Sequence, residues 1–325
     1  MSLTLLQPAT STSPHSAISL SRAGTNFIKS QSTYTLPWPL SLLANESQEK
    51  WQIYENVFLA CLRTGDNQSA SQCLEKLVDR FGKSNERVIA LRGLFQEATA
   101  ADHAALGEVL KQYDQFIVDD PTVFPIRKRR AALLRSSGKL NEAVVALTEL
   151  VDVSPTDAES WAELADCYLT KGSFEQAIFC LEEVLLVTPN AWNMHARLGE
   201  VLFLRANNAE GAEKPQGLTK AMRRFCRSVE LCDDYLRGYY GLKLSTNRLI
   251  PLLSSLISKS SKSTETTASL PPQSTVQKLN QLATLKLGDI LRHSKGDQKT
   301  WNGYSEAELI ATKELLDRDS DNTAR

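Results

Sequence analysis

The chain is 325 residues long, 42% hydrophobic and 23% charged, with 37 Lys+Arg against 38 Asp+Glu. So neutral a balance argues against a nonspecific nucleic-acid binder, which needs a basic excess to displace counterions from phosphates. No stretch approaches the ~20 apolar residues of a membrane-spanning helix, because the runs at 36–43 and 249–257 are short and broken by Pro37, Pro39 and Pro251. A soluble, mostly helical protein is expected.

Residues 1–45 form a separate compositional zone. They hold no Asp or Glu, 15 Ser/Thr and four prolines, with Arg22 and Lys29 as the only basic residues. Neither an Arg-rich amphipathic transit peptide nor a signal peptide with a continuous apolar core fits this composition. It reads as a disordered Ser/Thr-rich tail.

From residue 46 to 245 the chain repeats itself. Trp161, Leu164, Ala165, Tyr168, Gly172, Ala177, Leu181 and Pro189 recur 34 residues earlier as Arg127, Arg130, Ala131, Leu134, Gly138, Ala143, Leu147 and Pro155. A small residue at the eighth and twentieth positions, with proline near the thirty-second, is the tetratricopeptide period. The small side chains let paired helices approach closely, and the apolar ones fill the gap between them. Gly138 and Gly172 sit where the first helix must stop, since glycine takes the left-handed cap conformation without penalty. Five units follow, near 51–84, 85–123, 124–157, 158–191 and 192–235, and a degenerate sixth start stands at Leu236. The second unit exceeds the period by five residues and the fifth by ten; both insertions are expected in the turn between the paired helices. The pattern predicts an all-α tetratricopeptide-repeat α-solenoid, a right-handed superhelix of antiparallel helix pairs.

Beyond the repeats, 12 of the 22 residues at 254–275 are Ser or Thr. This stretch reads as a flexible linker. The apolar spacing in 276–318, with Ser305 as a cap for a last segment, predicts C-terminal helices that cap the solenoid.

No catalytic motif emerges. A P-loop, GxGxxG, GxSxG and HExxH are all absent, and the pairs Asp119-Asp120 and Asp233-Asp234 read as solvated turn residues. The six cysteines form no CxxC pair, and Cys73 and Cys180 share one repeat slot, so packing explains them better than metal or redox chemistry. No cofactor or metal is expected, and an enzyme is not. His195 takes the slot of Trp161 and reads as a packing residue. First helices line the groove of such arrays, and their outward slots hold Glu55, Lys128, Arg135, Glu159 and Asp166, the candidate partner-binding residues. Lys128 lies in the basic run Arg127-Lys128-Arg129-Arg130, for which a solvated helix face is weighed against an electrostatic contact with an acidic protein segment or anionic lipid. The lysine-then-asparagine spacing of a chaperone-tail clamp fails, because Ala132 follows Lys128 by four.

Several segments carry more than the generic repeat. Trp51-Gln-Ile-Tyr-Glu-Asn-Val, Gln72-Cys-Leu-Glu-Lys-Leu and Ile126-Arg-Lys-Arg-Arg-Ala-Ala resemble subunit 2 of the endoplasmic reticulum (ER) membrane protein complex. So do Ala158-Glu-Ser-Trp-Ala-Glu-Leu-Ala and Ala177-Ile-Phe-Cys-Leu-Glu-Glu, and the resemblance covers about residues 48–245. It implies a non-catalytic scaffold, peripheral on the cytosolic face of the ER membrane. Its implied partners are the cytosolic parts of membrane subunits and the small subunit 8 or 9, in a complex that inserts transmembrane segments, tail anchors included. The competing reading is a soluble tetratricopeptide adaptor that binds peptide segments in a chaperone or organelle-import pathway.

Overall fold

The computed structural model describes residues 5–6, 14–32, 47–259, 270–295 and 304–323. Among them stand fourteen helices and no strand. A leading helix α1 (Pro14–Ser32) precedes five antiparallel pairs: α2 (Gln48–Thr64) with α3 (Asn67–Phe81), α4 (Glu86–Thr99) with α5 (His103–Asp119), α6 (Phe124–Ser136) with α7 (Leu140–Val153), α8 (Ala158–Thr170) with α9 (Phe174–Val187), and α10 (Trp192–Asn208) with α11 (Glu213–Leu231). A longer pair, α12 (Leu236–Lys259) and α13 (Gln273–Lys295), and a final α14 (Glu306–Thr323) complete the series. This is a tetratricopeptide-type α-solenoid architecture with C-terminal capping helices. The chain divides into two compact units, residues 1–146 and 147–325, with the boundary inside α7.

Three of the turns between paired helices share a left-handed glycine. Gly65, Gly138 and Gly172 occupy one slot in three different pairs and have φ of 76°, 79° and 75°. That left-handed conformation strains any residue with a Cβ. At Gly65 it lets the cap N–H reach the last free carbonyls of α2, from Cys61 and Leu62. Side-chain caps start α3 and α5: the Asp66 carboxylate accepts from the Ser69 amide at 3.1 Å, and the Asp102 carboxylate from the Ala105 amide at 2.8 Å.

In the first unit, the tail read from composition as disordered contains α1. Its residues Ala17, Leu20, Ser21 and Gly24 are buried at a three-to-four-residue spacing, which is one face of a helix. A Cβ on Gly24 would fall 2.4 Å from the Val57 side chain, so the glycine is what lets α1 lie this close to α2. Phe27 packs edge-on against Tyr54 with centroids 5.5 Å apart, and the Asn56 amide donates to the Leu5 carbonyl at 3.0 Å. Composition hid this stripe because serine and threonine fill the other faces. The remainder of that tail, residues 1–4, 7–13 and 33–45, is outside the described residues. Around Tyr113, a second cluster joins Val109, Val123, Ile126 and Leu133.

In the second unit, the expansion read as a turn is helical. Relative to α8 and α9, α10 gains four residues and α11 gains five, which leaves one for the turn. Pro215, which the sequence reading put in the turn, sits in the first turn of α11, where its missing N–H has no intrahelical partner to lose. The second pair of the chain behaves likewise: its extra residues go mostly into α5, three residues longer than α7, and not into the 100–102 turn. Of the linker read at 254–275, residues 254–259 extend α12 and 273–275 open α13, while 260–269 lie outside the described residues.

Four of the six cysteines, Cys61, Cys73, Cys167 and Cys180, are buried. Burial pushes the Cys73 and Cys180 thiols up to about 12, and that of Cys226 to about 11. Thiols so far from ionisation are poor nucleophiles. Titration of the native chain with a chromogenic disulfide reagent at pH 8 is therefore expected to label the part-exposed Cys232 first and Cys226, part-exposed but with a raised thiol, more slowly. The other four should react only after denaturant is added; fast labelling of Cys73 or Cys180 in the native state would contradict the packing.

Candidate functional site

The first helices carry carboxylates that meet arginines on the first helix of the next pair. In the first unit, Glu55 of α2 takes Arg87 of α4 at 2.6 Å, and Glu97 of α4 takes Arg129 of α6. In the second unit, Asp166 of α8 takes Arg197 of α10 at 2.7 Å, and Arg197 also reaches Glu200 at 2.6 Å. The outer rungs are about a third exposed or more on one side, so each contributes only ~0.2–1 kcal/mol. Glu97–Arg129 is more buried, at 10% and 29% side-chain exposure, and the Tyr113 hydroxyl donates to the same carboxylate at 2.5 Å. Burial, and then Glu97, push the Tyr113 phenol well above its ordinary range. For Arg129, burial works against the charge, but Glu97 and Tyr113 outweigh it and hold the guanidinium firmly protonated.

This geometry places the five sequence-derived residues. Glu55 and Asp166 are rungs between adjacent first helices. Lys128 is half-buried on α6, while Arg135 and Glu159 are exposed, and all three take part in polar or electrostatic contacts within the protein. The basic run is largely neutralised from inside, since Arg129 binds Glu97 and Arg130 binds Asp114 at 2.6 Å. Neither a fully solvated face nor an open basic patch describes it. Sequence reasoning missed the arginines of the rungs, although Arg129 and Arg197 stand at the same position in their repeats.

A second recurrent contact ties the fourth and fifth repeats to the end of the repeat before them. The Trp161 indole N–H donates to the Pro155 carbonyl at 2.8 Å, and His195, in the same slot, puts Nε2 3.0 Å from the Pro189 carbonyl. A carbonyl only accepts, so Nε2 carries the proton and Nδ1 is left bare, buried and without a partner. Burial lowers the His195 pKa, and the positive charges of Arg224 and Arg227 lower it further. The neutral imidazole is a packing group here. Among the described residues no cluster of His, Cys, Asp or Glu is arranged to hold a metal ion.

An opening in the second unit lies between α10, α12 and α14. It encloses about 440 Å³, and its wall is mainly apolar and aromatic, with Phe203, Phe225, Tyr235 and Tyr240. Arg197 and Arg237 stand at its edge, the latter held by Glu308 of α14 at 2.6 Å. Phe225 keeps its place because Gly241 of α12 offers no side chain; a Cβ there would sit 2.1 Å from the ring. With both guanidinium groups held by carboxylates, the opening offers a shaped surface for an apolar segment with polar anchors at its rim.

Comparison with known proteins fits this architecture. A tetratricopeptide-repeat family model matches residues 134–198. TPR repeat protein oca3 of Schizosaccharomyces pombe is 37% identical over 252 residues, spanning 76% of this chain and 85% of its own length. ER membrane protein complex subunit 2-A of Xenopus laevis is 32% identical over 209 residues, 63% of this chain and 66% of its own length. The chain belongs to the tetratricopeptide-repeat family that includes these two proteins. Among solved structures, the C-terminal part of a TPR repeat-containing protein from Cytophaga hutchinsonii superposes with a TM-score of 0.50 at 13% identity. It covers 90% of this chain and all of that one, a likeness of fold. In this tetratricopeptide chain, then, the rungs and the proline contacts brace neighbouring repeats.

Proposed function

We propose that this chain is a non-catalytic scaffold subunit of the ER membrane protein complex. It sits peripherally on the cytosolic face of the ER membrane and gathers the cytosolic parts of membrane subunits, together with the small subunit 8 or 9. The assembly it organises inserts transmembrane segments, tail anchors included. The observation that carries this reading is the 32% identity to subunit 2-A over 209 residues. One feature is consistent with it: none of the helices in the described residues is long and apolar enough to cross a membrane.

The test is affinity purification of the tagged full chain from detergent-solubilised membranes. Multipass subunits are expected to co-purify in near-equal amounts, and the chain itself should leave the membrane when those subunits are depleted. Recovery in a soluble fraction with chaperones or import receptors, and without multipass partners, would replace the scaffold with the adaptor reading.

A further inference from the structure

A second opening lies on the other side of the second unit, between α7 and α9 with α8 as its floor. It also encloses about 440 Å³. Trp161, Leu164 and Tyr168 of α8 line it, and at 100° per residue they point almost opposite to Glu159 and Asp166 on the rung side of the same helix. This is therefore a separate surface from the opening beside α14.

Its walls have an unusual make-up. Trp161 and Phe179 stand nearly at right angles, with centroids 6.0 Å apart and an interplanar angle of 78°. The Trp161 ring is fixed in place by its N–H bond to Pro155, and Phe179 is left 56% exposed, a large aromatic that its own fold does not cover. The charged residues lining the opening are both acidic, Asp152 and Glu175. Glu175 is already gripped through both oxygens by Arg205, at 2.9 and 3.0 Å. Asp152 is exposed, and among the described residues it has no cationic partner.

We infer that this aromatic and acidic cup is a docking site for an arginine side chain of a partner protein. A guanidinium stacks on aromatic faces and pairs with a carboxylate in the same pose, and its aliphatic stem covers the apolar floor. Arg205 on Glu175 is the chain's own example of such a head group at this rim. A lysine ammonium would find the carboxylate but lacks the planar group that matches the rings.

The experiment uses the full chain with 15N-labelled tryptophan and N-acetyl-arginine amide as the probe. The Trp161 indole resonance is identified as the one lost in Trp161→Phe. Addition of the probe is expected to shift it saturably, with a dissociation constant in the millimolar range. N-acetyl-norleucine amide, which has the stem without the charge, should leave it in place. Asp152→Asn and Phe179→Leu are each expected to weaken the probe about 3- to 10-fold; both positions are exposed, and an unchanged thermal melt confirms folding. Equal shifts with the norleucine amide, or no weakening in Asp152→Asn, would overturn the assignment. So would tighter binding of tetramethylammonium than of the arginine amide, which would point to a quaternary ammonium head group instead. None of these outcomes depends on membership of the membrane complex.

Discussion

Asp319→Ala is expected to lower the stability of the second unit by about 3–5 kcal/mol, the cost of leaving a buried charge without its counterion. The stranded group is Lys243. Its side chain is only 5% exposed, against 28% for Asp319, and the two meet at 2.6 Å. The Lys243 ammonium also donates to Asn280 Oδ1 at 2.9 Å and to Thr284 Oγ1 at 2.7 Å. Those oxygens satisfy its N–H groups but carry no net charge. Asn247 donates to both oxygens of Asp319 at 3.0 Å, and Asn280 links back to Thr246 and Asn247. One polar hub thus pins α12, α13 and α14 together. The exposures make the effect asymmetric: Lys243→Met leaves a carboxylate that water reaches, so its cost is expected to be smaller, about 1–3 kcal/mol. Urea unfolding followed by circular dichroism measures both, and hydrogen exchange locates the loss in α12–α14. Equal costs for the two variants would mean the burial argument fails.

Glu97→Ala should be the most damaging single change in the first unit, again by about 3–5 kcal/mol. The carboxylate accepts from Tyr113 and is gripped by the Arg129 guanidinium, so its removal strands a half-buried cation and a buried hydroxyl together. Tyr113→Phe removes only one neutral donor and leaves the ion pair, so about 1 kcal/mol is expected. The site has no room to relax, because Gly93 lies against the Tyr113 ring; a Cβ there would be 2.1 Å from the hydroxyl oxygen. If Glu97→Ala and Tyr113→Phe shift the urea midpoint equally, Arg129 has found another partner and the triad is not a unit.

The repeat architecture was legible because its determinants are local. The glycines at 65, 138 and 172 mark turns through backbone conformation alone, and the alanines at 165 and 177 mark close helix contact at fixed spacing. What escaped were features that depend on partners far along the chain. Ala17, Leu20 and Gly24 form a stripe only once the Ser/Thr-rich faces between them are set aside, so a composition count saw a tail. Asn207, Asn208 and Pro215 have turn chemistry, yet the asparagines end one helix and the proline begins the next. Lys243, Asn247, Asn280 and Asp319 look like surface residues, and nothing in their spacing says that three helices converge on them. The candidate site was half legible. Glu55 and Asp166 were found on first helices, but their arginines Arg87 and Arg197 were not, because they stand 32 and 31 residues further along the chain.

The lengthening of α10 and α11 has a consequence for anything that lies along the helix ends of the second unit. The extra four and five residues are one helical turn each, on the end of the pair that holds the 209–212 connection. At 1.5 Å per residue they carry that connection about 6 Å past the corresponding end of α8 and α9. Arg205, in the added turn, reaches back to Glu175 and braces the overhang against its shorter neighbour. A flat partner cannot rest on both ends at once. It must be notched to fit the step or stop at it, so the ledge sets the register along the array at which a flat surface is halted.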